Sequence, residues 1–186
     1  MSDTDPTVLV CHSDPSMRRA YERTLADSGF RVRMADRPSA VPPLPETDVR
    51  AVVLSLETAG LSAEPLPGGL EATHARVALL VPFGESAPAS GALPDRVDEC
   101  LAEPVPDEDL VAAVERLLAR ADYDARLRRC FDLAREVAAA EADPTTDPSE
   151  VDRLRTRLRR LRSDLGESSD GLGEIDRFAV AAEPDA

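Results

Sequence analysis

Five short, β-rich apolar runs punctuate the first hundred residues, and they constrain the fold more than any other feature. They are Thr7–Cys11 (TVLVC), Phe30–Met34 (FRVRM), Arg50–Ser55 (RAVVLS), Arg76–Val81 (RVALLV) and Val97–Leu101 (VDECL). The segments between them are long enough for crossover connections, which parallel strands require and hairpins do not. The pattern predicts an α/β fold with a five-stranded parallel sheet. The third and fourth runs are continuously apolar, as expected of central strands buried on both faces. A helix is predicted over Asp14–Ser28, closed by Gly29. The other crossovers are poor helices. Pro38, Pro42, Pro43 and Pro45 interrupt the second, Pro65, Pro67, Gly68 and Gly69 the third, and the fourth reads GESAPASGALP. Proline costs about 3 kcal/mol inside a helix, so these crossover helices are expected to be eroded.

The texture changes at Asp107. Leu110, Val111, Val114, Leu117 and Leu118 form one apolar stripe at helical spacing, and Leu127, Phe131, Ala134 and Val137 form another after a polar interruption at Asp122–Asp124. A turn follows at Asp143–Ser149 (DPTTDPS). Ser149 and Asp152 resemble a capping box opening a last helix, which Gly166 is expected to end. That helix spaces Val151, Leu154, Leu158, Leu161 and Leu165 by alternate threes and fours, the a/d spacing of a coiled coil, for about two heptads. The predicted organisation is a sheet domain over 1–120 and a C-terminal helical hairpin over 121–186, the latter ending in a flexible acidic tail. That tail carries a weak apolar cluster at Ile175 and Phe178–Val180.

Charge narrows the setting. The net charge is −14, all 22 basic residues are arginine, and Lys, Asn and Gln are absent. Ile175 is the sole isoleucine, a bias that points to a GC-rich genome. Dense surface carboxylate suits molar salt, where the Debye length is about 3 Å and self-repulsion is screened, so a halophilic source is expected. No apolar run reaches the length of a membrane span and the acidic start MSDTDPT is unlike a signal peptide, so a cytoplasmic protein is expected. Cys11, Cys100 and Cys130 are too scattered for a disulfide framework and read as thiols.

The opening VLVCHSDP resembles the first strand and following loop of response-regulator receiver domains, typically VLVVDDEP. The stretch YDARLRRCFDLAREVAAAEA (Tyr123–Ala142), followed by VDRLRTRLRRLRSDL, resembles the HalX module that follows receivers in haloarchaeal regulators. The resemblance implies a flavodoxin-like fold and a phosphorelay ancestry. Receivers hold Mg²⁺ with two carboxylates after the first strand and accept the phosphoryl group on an Asp ending the third. A Thr or Ser ending the fourth strand and a Lys–Pro ending the fifth contact the phosphoryl oxygens. Carried onto this chain, the acidic pair falls on His12 and Ser13, with Asp14 and Pro15 matching after it. The acceptor falls on Ser55, the Thr or Ser on Val81, and the Lys–Pro on Glu103–Pro104. Mg²⁺ requires hard oxygen ligands and an acyl phosphate requires a carboxylate. The family's phosphoacceptor and Mg²⁺ site are therefore expected to be lost, leaving no cofactor and a vestigial pocket of His12, Ser13, Asp14, Ser55, Val81 and Glu103.

Cys11, His12, Asp14 and Ser55 are expected to converge where α/β sheets place their ligands. One alternative reads Cys11, His12 and Ser55 as a residual enzyme or metal site. Adjacent strand residues point to opposite faces, however, and no glycine-rich elbow supplies an oxyanion hole. A second alternative is a transcriptional regulator contacting DNA through Arg155, Arg157, Arg159 and Arg162 in RLRTRLRRLR. Against it, phosphate contacts weaken steeply with salt. The favoured expectation is that Leu154, Leu158, Leu161 and Leu165 pack in an intramolecular or antiparallel pair. There the flanking arginines would face Asp122, Asp124, Asp132, Glu136 and Glu141 on the preceding helix. The function expected is a non-enzymatic, phosphorylation-independent interaction module. It would bind protein partners, with a homodimer through the C-terminal helices as one arrangement. A paralogue without a remaining role is the bland alternative.

Overall fold

A computed structural model describes residues 6–37, 49–56, 75–84 and 97–179, with side chains as far as Gly166. The chain divides into two compact units, Met1–Ala121 and Asp122–Ala186. In the first, β1 (Thr7–Cys11), β2 (Arg31–Ala35), β3 (Val49–Ser55), β4 (Arg76–Val81) and β5 (Val97–Ala102) form one parallel sheet in the order β2-β1-β3-β4-β5. This is the α/β flavodoxin-like arrangement. The three crossovers expected to be eroded lie outside the described residues, apart from their ends.

Both sheet faces are buried. Leu9, Cys11, Val52, Leu54, Val77, Leu79 and Val81 point to one core. Val8, Val10, Val53, Ala78 and Leu80 point to the other, where they meet Tyr21 and Leu25 of α1 (Pro15–Asp27) and Leu110, Val114 and Leu117 of α2 (Asp107–Ala142). The continuous apolar runs of β3 and β4 serve these two cores alternately, as the two-residue period of a strand dictates.

The local chemistry sets the boundaries. Asp14 caps α1, its carboxylate accepting from the Ser16 and Met17 backbone N–H groups at 2.6 and 3.4 Å. At the other end Gly29, at φ 89°, donates to the Ala26 carbonyl, and Phe30 donates to that of Leu25. This Schellman closure uses the Phe30 N–H. It explains why β2 starts at Arg31, one residue later than its apolar run suggests.

In the second unit, the last half of α2 packs on α3 (Pro148–Ala179) through Cys130, Leu133, Val137, Leu158 and Leu165, with Leu127, Leu154 and Leu161 alongside. The polar interruption at Asp122–Asp124 interrupts the apolar stripe but not the helix, and α2 runs unbroken from Asp107 to Ala142. Aspartate costs a helix interior only about 0.7 kcal/mol, and Tyr123 between the two packs on the hairpin core. Two expectations for α3 are corrected. The cap of α3 is Asp147, which accepts from the Ser149 N–H at 2.8 Å with Pro148 in the first turn, rather than a Ser149–Asp152 box. Finally, Gly166 does not end the helix, which continues to Ala179 as one segment. Gly166 has none of the left-handed φ that a C-terminal glycine adopts.

Backbone hydrogen bonds hold the carboxyls of Asp14 and Asp147 below the ordinary value of 3.8. A depressed carboxylate stabilises the fold above its unfolded pKa and loses that contribution as pH falls through the folded value. Asp14→Ala should therefore lower the thermal midpoint at neutral pH, and its gap from wild type should close on acidification below about pH 4. Thermal melts across that range check this; a gap that persists at acid pH would show the loss is not electrostatic.

Candidate functional site

Side chains of Val10, Val53 and Leu101 share one core, so the residues two further along, His12, Ser55 and Glu103, extend the same face at the carboxyl ends of β1, β3 and β5. His12 Nε2 lies 2.9 Å from Glu103 Oε1, and the two side chains are only 6% and 13% exposed. The Asp14 backbone N–H donates to His12 Nδ1 at 3.0 Å. Nδ1 must then be an acceptor, which places the ring proton on Nε2, where it is donated to Glu103. Tyr21 donates to the same Glu103 oxygen at 3.0 Å, and its ring stands edge-on to that of His12 with centroids 6.1 Å apart. Burial, followed by the charge and hydrogen bond of Glu103, pushes the Tyr21 phenol well up, so it stays a donor. Arg18 ties down the connecting loop by donating to the carbonyls of His12 and Ser13 at 2.5 and 2.8 Å. The peptide Glu103–Pro104 is cis.

The polarity of this cluster is the reverse of what the receiver comparison implies. There the first-strand end is acidic and the fifth-strand end carries lysine. Here the first-strand end carries an imidazole donor and the fifth a carboxylate, and the two satisfy each other. The expected convergence is only partly met. His12 and Glu103 are joined, and Ser55, fully buried, lies at the end of β3 on their face. Its Oγ has no hydrogen-bond partner among the described residues. Asp14 is instead at the solvent-facing start of α1, engaged in capping. Cys11 and Val81 point into the opposite core, and Ser13 is exposed.

Mg²⁺ requires several converging hard oxygen ligands, but the Asp14 carboxylate is turned to the exposed start of α1, where it caps the helix, and the Glu103 carboxylate is held inside by His12 and Tyr21. The residues present do not fit the ion. Nor do Cys11 and His12 form a soft site, since they face opposite sides of the sheet. Burial, reinforced by Asp36, raises the Cys11 thiol to about 11. Among the described residues no group of three or more His, Cys, Asp or Glu side chains could hold a metal ion.

Sequence reasoning missed Tyr21 and Arg18. Tyr21 could have been found, because Met17, Tyr21 and Leu25 repeat every four residues along α1 and so face the sheet. Nothing local to Arg18 marks it, since its acceptors are backbone carbonyls of a loop.

In the second unit three of the four arginines singled out for DNA, Arg155, Arg159 and Arg162, are spaced by four and three residues and so share one side of α3, while Arg157 lies on another. Arg155 is paired with Glu141 at 2.7 Å and lies 3.5 Å from Asp152. Arg159 donates to Thr156, Arg157 borders an acid-containing groove, and Arg162 is exposed. Leu158 and Leu165 are buried in the hairpin, with Leu154 and Leu161 partly so. Among the described residues, no helix is long and apolar enough to cross a membrane.

Comparison with known proteins divides the chain the same way. Residues 119–182 match the HalX domain model. No curated protein sequence matches the chain. Among solved structures, full-length FixJ from B. japonicum is similar over 89% of this chain and 90% of its own, at 19% identity and a TM-score of 0.55. A response-regulator receiver domain protein from Clostridium thermocellum aligns over 62% of this chain and 96% of its own, at 19% identity and a TM-score of 0.50. NtrX from Brucella abortus aligns over 68% of this chain at 18% identity and a TM-score of 0.57. This chain spans only 29% of NtrX. Identities this low establish the fold alone.

Proposed function

We propose that this chain, a receiver-fold unit followed by a HalX domain, is a regulatory protein of the response-regulator class that works without phosphorylation or Mg²⁺. It binds protein partners and catalyses nothing. The observation that carries this reading is the buried His12–Glu103 hydrogen bond. A receiver pocket is poised because its acids and its lysine need a metal and a phosphoryl group to balance them. Here an imidazole N–H and a carboxylate sit in those places and satisfy each other directly. No phosphoryl group is needed to complete the site, and Glu103 would repel one.

DNA contact through the arginine helix is the weaker reading, because Arg155 is engaged by carboxylates and Arg157 shares its groove with three acids. Phosphate oxygens would have to displace or repel those groups.

Incubation with acetyl phosphate and Mg²⁺, followed by intact-mass spectrometry, tests the proposal. The expected result is an unshifted mass under conditions that label an intact receiver run alongside. A stoichiometric, hydroxylamine-labile phosphoryl adduct would overturn it.

A further inference from the structure

The HalX hairpin carries a groove of about 420 Å³ along one side, floored by two residues of the seam that holds its helices together. Arg129, Asp132 and Glu136 form the α2 wall, and Arg157, Arg160 and Asp164 form the α3 wall. Leu133 and Leu161 lie between them. Three positive and three negative charges thus share one groove. Yet among the described residues Arg129, Asp132, Glu136, Arg157 and Arg160 make no ion pair, whereas Arg155 pairs with Glu141 across the same two helices.

The Glu141–Arg155 pair sets the register of the hairpin. Both helices rise about 1.5 Å per residue. Five residues back from Glu141 along α2 is Glu136, and five on from Arg155 along α3 is Arg160, so these two lie at the same level on opposite walls. The wall on α2 is net negative and that on α3 net positive.

We infer that this groove is a dimerisation surface whose occupant is a second copy of the same hairpin, related by a two-fold axis running along the groove. Such an axis lays each α2 wall against the α3 wall of the other copy. Glu136 then meets Arg160 of the second copy, flanked by Arg157, and the same contact recurs by symmetry. Arg129 comes within a turn of Asp164. Asp132 opposite Asp164 is the unfavourable contact, with Arg129 and Arg160 a turn away on either side. A uniformly acidic or basic partner would meet like charge on one wall or the other, and nucleic acid would meet three carboxylates. A copy of the hairpin carries the complementary pattern by construction. The inference deepens the interaction reading by naming a partner, and it stands or falls independently of whether Ser55 or any other residue is phosphorylated.

Light scattering on the full chain, at micromolar concentration and moderate salt, reads the outcome directly. Wild type should run at twice the chain mass. Glu136→Arg alone and Arg160→Glu alone should each run as monomers, weakened by roughly tenfold or more because each change acts twice across the axis. Mixing the two single variants should restore a dimer. The guanidinium introduced at position 136 of one chain then faces the carboxylate introduced at position 160 of the other, and the second contact of the pair is native. Circular dichroism confirms that each variant keeps its helices; should either lose them, Glu136→Lys with Arg160→Asp repeats the exchange with shorter or differently shaped side chains at the same two positions. A monomeric wild type, dimeric single variants, or a mixture that stays monomeric would each overturn the inference.

Discussion

Replacing Ser55 by Asp, the change that nominally restores the family's phosphoacceptor, is expected to cost roughly 3–5 kcal/mol of stability rather than to confer phosphorylation. Ser55 is fully buried at the end of β3. A carboxylate there would lose its hydration and find neither Mg²⁺ nor lysine, while Glu103 already occupies the end of β5 on the same face. Ser55→Ala is the control. Its Oγ has no hydrogen-bond partner among the described residues, so removing it should leave stability within about 0.5 kcal/mol or raise it slightly. Urea denaturation of the three proteins separates the cases. The Asp variant should also recover on acidification, because burial raises its carboxyl pKa and protonation removes the charge. An Asp variant within about 1 kcal/mol of wild type would mean that the pocket is wetter or more positive than its side chains indicate.

The second large effect falls on Glu103. Glu103→Ala removes the acceptor for both the His12 ring N–H and the Tyr21 hydroxyl. Each unsatisfied donor costs about 1–3 kcal/mol. The 13% exposure of Glu103 admits some water to the gap, so a total of about 2–4 kcal/mol is expected. Glu103→Gln keeps a side-chain carbonyl and should lose less. A double-mutant cycle with Tyr21→Phe gives the sharper check, since the hydroxyl has nothing left to lose once Glu103 is gone and the two changes should be less than additive. Additive losses, or a Glu103→Ala variant within about 0.5 kcal/mol of wild type, would show that the cluster does not act as a unit.

On this reading the receiver scaffold has exchanged its switch for a structural joint. His12 lies in the loop that leads to the α1 cap, and Glu103 in the connection from β5 to α2. Thr24 of α1 also donates to Asp107, at the first turn of α2, at 2.8 Å. These bonds couple α1 to the start of α2 without a ligand.

Much of the fold was legible from the primary structure, for physical reasons that differ by element. The strands were readable because β3 and β4 must be apolar at every position to be buried on both faces. Boundaries were less readable because they depend on who takes each backbone hydrogen bond. Phe30 looks like a strand residue, but the closure of α1 uses its N–H. Ser149 looks like a cap, but Asp147, one residue before Pro148, is better placed. Gly166 looks like a stop, yet a single glycine costs a helix only about 1 kcal/mol and need not end it.

Through the resemblance, residue identity alone implies that the receiver's acceptor, metal carboxylates and lysine are missing, because those roles depend on residue type. No arrangement of the chain supplies a carboxylate at Ser55 or a cation at Glu103. Periodicities of two and of about three and a half likewise suffice for the parallel sheet and the two-helix C-terminal hairpin. What took the place of the lost chemistry depends instead on three-dimensional proximity. His12 and Glu103 are 91 residues apart, and their encounter requires the all-parallel sheet that puts the carboxyl ends of β1 and β5 on the same side. Asp14 could have joined that pocket and instead capped a helix. The division of the arginines between paired and groove-lining positions was settled by the register between two helices, which spacing along one helix cannot supply.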